Sequence, residues 1–218
     1  MINFVVDMDY QKFSDCFSNV KDFERSGKSG YDHMAPAHRK TFLAQRPKTP
    51  SDARPAAVVL FCYPKSGRMH LSLIKRAEYD GVHSGQISLP GGKKEAADAS
   101  LLHTALRECN EELGTAVVSD STHISLPSIY IPPSNFLVSP YVVSVPYTPE
   151  FTPDPREVAL HLQLPLSQLI DFDIEQRRLQ YGSAAGMTVP CFVFEGHVIW
   201  GATAMILFEF KTFLASRI

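Results

Sequence analysis

No stretch of the sequence comes near the roughly 20 apolar residues that a membrane-spanning helix needs; the densest apolar run, residues 56–63, is far shorter. The first fifteen residues, MINFVVDMDYQKFSD, are acidic early and have neither a basic n-region nor an extended apolar h-region, so no signal peptide is expected. Four cysteines, Cys16, Cys62, Cys109 and Cys191, lie far apart and form no CxxC pair, which argues against a zinc knuckle. Cys62, Cys109 and Cys191 fall in apolar periodic segments and read as buried reduced thiols of a cytoplasmic protein. Neither the P-loop pattern nor Gly-x-Gly-x-x-Gly occurs, which excludes two common nucleotide-binding fingerprints. Glycine and proline, 12 and 16 residues, are too few and too aperiodic for a collagen or a linker protein.

What is present is the material for one core. Of 218 residues, 44% are hydrophobic and 20% charged, too apolar for a disordered chain. A chain of this size buries roughly 70% of its unfolded surface, so neither disulfides nor a structural metal is required. The net charge of -2 conceals an uneven distribution. Residues 24–54 carry seven Lys/Arg (Arg25, Lys28, Arg39, Lys40, Arg46, Lys48, Arg54) against three acids, a net +4, leaving -6 for the rest. Such a block reads as a solvated extension or as a basic arm that helps bind a polyanionic ligand. The acidic remainder and a pI near 6.4 argue against a nucleic-acid polymer as partner.

The patterning predicts a short amphipathic helix over 8–19, an irregular arm over 24–54, and a domain over 55–218. Residues 56–63 read as a buried strand and 69–76 as its hairpin partner. Residues 98–113 read as a helix with Gly114 as its cap. Strands are expected over 123–131, 136–147 and 156–164, then a helical turn at 165–171. Two further strand segments, 174–181 and 189–200, precede an amphipathic helix over 201–217. Helices and strands mix without βαβ alternation, which points to an α/β class: an α/β/α sandwich on a mixed sheet, preceded by a helical and irregular extension over 1–54.

One segment carries the chemistry: Gly91-Gly92-Lys93-Lys94-Glu95, then Asp98, then Arg107-Glu108-Cys109-Asn110-Glu111-Glu112-Leu113-Gly114. At about 100° per residue, Glu112 lies about 40° and Glu111 about 60° from Glu108, while Leu102, Leu106, Cys109 and Leu113 form an apolar stripe elsewhere. Clustered carboxylates repel one another. Such an oxygen-rich set suits a hard cation, Mg2+ or Mn2+, which also binds substrate phosphate. Taken alone, the helix also reads as a solvated acidic face.

The spacing resembles the Nudix box, G-x5-E-x7-R-E-U-x-E-E-x-G-U with U apolar. Residues 107–114 match its second half in full; Asp98 replaces the first Glu, one residue further from Arg107, and Thr115 takes the final U. The longer run LSLIKRAEYDGVHSGQISLPGGKKEAADASLLHTALRECNEELG is similar to the extended signature of the coenzyme A pyrophosphatase branch, with Arg76, His83, Gly85, Gln86, Pro90, Gly91, Gly92, Asp98, Thr104, Ala105, Leu106, Arg107 and Glu108 in register. Two later segments, 132–142 and 197–207, are similar to further motifs of that branch. Ala77, Leu89 and Met205 depart from it, replacing Ser, Phe and Arg.

The resemblance implies the Nudix sandwich and a reaction in which water attacks a pyrophosphate phosphorus with a divalent cation bound. Glu108, Glu112 and Glu111 are then the metal ligands, with the Gly92 carbonyl beside them. Glu108 is one proton acceptor for the water and Glu157 another, unless Glu157 is an ordinary exposed acid. Arg107 either contacts phosphate or braces the loop through Asp98; bracing is favoured, and pairing with a carboxylate is what a guanidinium does best. His83 and Gln86 fall on the substrate side of the loop, and Arg76 and Lys75 close a strand directed at it, where they could hold phosphate. Trp200 reads as core packing.

The implied activity is Mg2+- or Mn2+-dependent cleavage of coenzyme A or acyl-CoA to 3′,5′-ADP and 4′-phosphopantetheine or its acyl form. The alternatives are a Nudix hydrolase of ADP-ribose or NADH, and a non-catalytic nucleotide-binding Nudix module. The expected partner is a small nucleotide, with no membrane involved; a homodimer is left open. The terminal Ser216-Arg217-Ile218 differs at two positions from a peroxisomal address and reads as a helix end.

Overall fold

A computed structural model describes residues 8–18, 20, 30–37, 39, 50–78, 83–117, 122–180 and 185–218. The first described helix, α1 (Tyr10–Asp15), is shorter than expected and is capped by Asp9, whose side chain accepts from Lys12 N at 2.9 Å. Strand β1 (Arg54–Lys65) turns through Ser66 and Gly67, both at positive φ, into β2 (Arg68–Arg76). That pair of dihedral signs matches the right-handed twist of a two-residue hairpin. Short β3 (Ile87–Ser88) and β4 (Gly91–Lys93) lead into α2 (Leu101–Leu113).

The strand expected over 123–131 is two strands, β5 (Thr122–Ser125) and β6 (Ile129–Ile131). Pro127 lies between them and has no N–H to give a ladder. Strand β7 (Phe136–Ser144), β8 (Val158–Pro165) and α3 (Leu166–Asp171) follow. The chain then forms β9 (Glu175–Arg178), β10 (Thr188–Phe194), β11 (His197–Trp200) and α4 (Gly201–Ala215).

Eight strands, β1 to β8, form one mixed sheet along β3-β2-β1-β7-β5, with β4 on β1, β6 on β7 and β8 on β2. The β1–β7 pair is parallel; its neighbours are antiparallel. A separate three-stranded sheet runs β11-β10-β9. The period-2 alternation of β1 places Ala56, Leu60 and Cys62 in one buried cluster and Ala57, Val59, Phe61 and Tyr63 in another. The second cluster includes Ala105, Leu106, Cys109 and Leu113 of α2. The first includes Leu207, Phe210 and Leu214 of α4. Helices thus cover both faces of a mixed sheet, the expected α/β/α sandwich.

Helix α4 departs from the expected amphipathic pattern. Ala204, Met205, Ile206, Leu207, Phe210, Phe213 and Leu214 are all buried, because α3, the small sheet and the N-terminal segment surround the helix. Phe17 meets Phe213 at 5.2 Å between ring centroids, and His33 stacks on Phe208 at 5.3 Å. Met8, Phe13, Tyr31 and Met34 join the same cluster as the sheet. Of the basic residues in 24–54, Arg39 and Arg54 are described; Arg25, Lys28, Lys40, Arg46 and Lys48 lie outside the described residues. All four cysteines are buried and free. Among the described residues, no helix is long and apolar enough to cross a membrane.

Candidate active site

Helix α2 is fixed at both ends and along one side. Ser100 Oγ accepts from His103 N at 3.1 Å. Gly114 closes the helix in the left-handed region at φ 61, where a side chain would collide with Thr152 O at 2.3 Å. The apolar stripe seats the helix on the sheet, which turns Glu112 inward to full burial and leaves Glu111 exposed.

Asp98 organises the loop ahead of the helix. Its carboxylate accepts from Glu95 N at 2.8 Å, Thr104 Oγ1 at 2.9 Å and Arg107 Nε and Nη2 at 3.0 and 3.1 Å; His103 Nδ1 lies 3.0 Å away. Arg107 also reaches Lys93 O, Glu108 Oε1 and Glu111 Oε2. The bracing role therefore has a structure: one guanidinium ties strand β4, the loop and two turns of α2. The Arg107 charge and these N–H donors hold the Asp98 carboxyl well below the usual range.

Glu112 Oε2 accepts the N–H of Gly91 at 2.8 Å, and Oε1 accepts from Arg76 Nη1 at 3.2 Å. Burial pushes its carboxyl up to about 8, against the pull of Arg76 and the Gly91 N–H and with the push of Glu108 and Glu157. Glu108 is raised too, first by burial and further by Glu111 and Glu157, although Arg107 opposes the shift. Gly92 packs so tightly here that a Cβ would lie 2.4 Å from the Glu108 carboxyl carbon. Gly91, at φ 147, would drive a Cβ to 2.3 Å from Ala57 O.

The exposed Glu157 sits where β8 begins. Its loop is stitched to the end of α2: Thr152 N donates to Leu113 O at 2.9 Å and Asp154 N to Glu112 O at 3.1 Å. Ala77 N, just past β2, donates to Glu157 O at 2.8 Å. This brings the carboxylate close enough to raise both Glu108 and Glu112.

The donors around Glu108 are all oxygens, and their mutual repulsion is what a divalent cation would relieve. Among the described residues, no three His, Cys, Asp or Glu side chains converge closely enough to hold an ion. Glu111 is held by Arg107, and Glu112 by Arg76 and Gly91. Gathering them on one ion would exchange those pairs for metal bonds.

Beside the box opens a cavity of about 880 Å3. Arg76, His83, Gln86, Gly91, Gly92 and Glu108 line one end, and His83 Nδ1 lies 3.2 Å from Gln86 Oε1. Lys75 does not line it; that residue sits in the ladder between Ile87 and Leu160. Trp200 packs near Leu179 and Val189 and also lines the cavity. So do Pro36 and Arg39, which sequence reasoning left in an undifferentiated basic arm.

Comparison with known proteins adds the family. The NUDIX domain family model matches residues 52–180. The chain is 34% identical over 160 residues to the mitochondrial coenzyme A diphosphatase NUDT8 of Homo sapiens, covering 71% of this chain and 67% of that protein. It is 33% identical over 163 residues to the uncharacterized Nudix hydrolase NudL of Yersinia pestis, covering 71% and 76%. A crystal structure of a MutT/nudix family protein from Enterococcus faecalis shares the fold at 13% identity and a TM-score of 0.52, covering 89% of this chain and 76% of that one. With the box helix, its bracing arginine and its carboxylates placed on this sandwich, the chain belongs to the Nudix family and is a pyrophosphohydrolase.

Proposed function

We propose that the enzyme cleaves the diphosphate of coenzyme A or acyl-CoA, releasing 3′,5′-ADP and 4′-phosphopantetheine or its acyl form. The observation that carries this reading is the 34% identity to a coenzyme A diphosphatase. The cavity supports it: about 880 Å3 of largely apolar space beside the box suits a long, thin ligand with one charged end. Glu108, Glu111, Glu112 and the Gly92 carbonyl would hold Mg2+ or Mn2+. The ion would neutralise phosphate charge and lower the pKa of a bound water.

The chain's own groups do the rest. Arg76 donates to phosphate oxygens and stabilises charge as the bridge breaks. His83 and Gln86 position the nucleotide. Glu108 or Glu157 takes the proton of the attacking water. Asp98 and Arg107 keep the loop and helix in register. The product pair is small and diffusible, and the compartment proposed is the cytoplasm.

The test is a turnover screen of coenzyme A, acyl-CoA, ADP-ribose and NADH with each metal, products identified by mass spectrometry. Faster turnover of ADP-ribose or NADH than of coenzyme A overturns the substrate assignment. Binding without turnover of any of them would mark a nucleotide-binding module. Glu112→Gln should lower kcat by about 100-fold or more while leaving the melting temperature near wild type; undiminished activity removes Glu112 from the site.

A further inference from the structure

Arg39 is the one cavity-lining cation among the described residues that lies N-terminal to the family-matched segment 52–180. It is half-buried, and its Nη1 donates to Tyr130 O. No carboxylate lies within ion-pair distance of its guanidinium among the described residues; Asp32 influences it only at longer range. Burial lowers its affinity for the proton, against the pull of Asp32 and Tyr31. A guanidinium has five donors, and partial burial without an adjacent carboxylate leaves its charge incompletely compensated. An anion arriving through the cavity would complete that compensation.

The sheet sets how far this cation stands from the hydrolytic end. Lys93, Ala56, Val138 and Ile129 form one cross-strand row through β4, β1, β7 and β6. Three steps of about 4.8 Å put the Tyr130 end of the row about 14 Å from the Gly92 end. Val58, Ile129, Phe136, Val138, Met205 and Ile206 line the same cavity. The ligand that fits has an anionic end at the box, a slender middle and a second anion at Arg39.

Resting on the coenzyme A reading, we propose that Arg39 is a specificity residue that binds a carboxylate at the far end of the acyl group, so that ω-carboxyacyl thioesters are preferred substrates. The arm from phosphorus to sulfur has thirteen bonds, which at roughly 3.5 Å per three bonds spans about 15 Å. That is the fully extended limit; a succinyl group adds about 5 Å beyond the sulfur, so an arm bent within the wide cavity brings its carboxylate to the guanidinium. The 3′-phosphate is only six bonds from the nearer diphosphate phosphorus, about 7 Å, too short to reach Arg39 from the box.

The experiment compares kinetics on succinyl-CoA with butyryl-CoA, and on coenzyme A with 3′-dephospho-coenzyme A. Wild type should favour succinyl-CoA through KM. Arg39→Gln, which keeps a donor for Tyr130 O, should raise the succinyl-CoA KM about tenfold, leave kcat within twofold, and leave the other three substrates unchanged. Arg39→Lys should retain part of the preference and covers the case in which the Gln variant folds poorly. Loss of discrimination in the coenzyme A pair instead would assign Arg39 to the 3′-phosphate and overturn the proposal. Equal effects on succinyl- and butyryl-CoA would make Arg39 a structural tie and overturn it as well. Should wild type hydrolyse none of these thioesters, the coenzyme A reading fails first. Thermal stabilisation by succinyl-pantetheine, which has no diphosphate, then decides separately: a shift in wild type that Arg39→Gln abolishes upholds the carboxylate subsite, and no shift ends it.

Discussion

Asp98 and Arg107 meet as a fork, Nε on Oδ1 at 3.0 Å and Nη2 on Oδ2 at 3.1 Å, with the carboxylate closed to solvent. The pair spans a loop and a helix that share no backbone ladder. It sets where Glu108 stands relative to β4 without itself bearing on substrate.

Arg107→Lys keeps the charge and loses the two-point geometry. Supporting partners of this kind cost about 10–100-fold in activity or metal affinity when removed. We expect kcat/KM to fall by that factor, with Asp98→Asn giving a similar loss and the double variant scarcely more. Steady-state kinetics on the four proteins check it; independent, multiplying losses would show that the two residues do not act together.

Adjacent glycines should fail in different ways. Gly91→Ala forces a side chain into backbone at positive φ and should destabilise the protein by on the order of 3 kcal/mol. At Gly92 the three atoms nearest an added Cβ all belong to the Glu108 carboxylate, the far end of a side chain that can shift, so Gly92→Ala should change stability little while metal-dependent activity falls at least about tenfold. Urea unfolding beside kinetics separates the two.

His161 is half-buried on β8, with Ser72 Oγ 2.9 Å from Nε2 and Phe151 packed on its ring at 4.4 Å. Burial, aided by the Lys65 charge, depresses its pKa from the ordinary 6.5 to about 4. Between those values the unfolded chain binds the proton and the folded chain does not, so stability falls as pH drops from about 6.5 to about 4. The contribution is on the order of 2 kcal/mol. His161→Gln should flatten that part of the stability profile measured by denaturant melts at pH 7.5 and 5; an unchanged slope would acquit His161.

Phe13 is fully buried against Phe17, 5.0 Å between centroids. Phe13→Ala should cost about 3–4 kcal/mol if α1 belongs to the folding unit. A loss below about 1 kcal/mol in a cooperative urea transition would instead mark residues 1–54 as a detachable extension.

Local chemistry made the box legible. Ser100, Gly114 and the apolar stripe of α2 act within one helix, and the Asp98–Arg107 pair closes a short loop. The Arg76–Glu112 pair spans 36 residues and depends on β2 crossing the sheet beside α2, which no spacing reveals. Lys75 and Arg76 looked equivalent in sequence, yet strand direction gives the cavity to Arg76 alone. Arg39 was one basic residue in a block of seven; only the packing of Pro36 and Tyr31 against the core singles it out. The continuous strand expected over 123–131 failed at Pro127, where periodicity outweighed the missing donor.

The two backbone bonds from Thr152 and Asp154 to the last turn of α2 have a mechanical consequence. The helix end and the Glu157 loop form a single lever: tilting α2 to reposition Glu112 also carries Glu157 with it. The carboxylates of Glu112 and Glu157 therefore move as a unit, and substitutions at Thr152 or Gly114 should detune both at once.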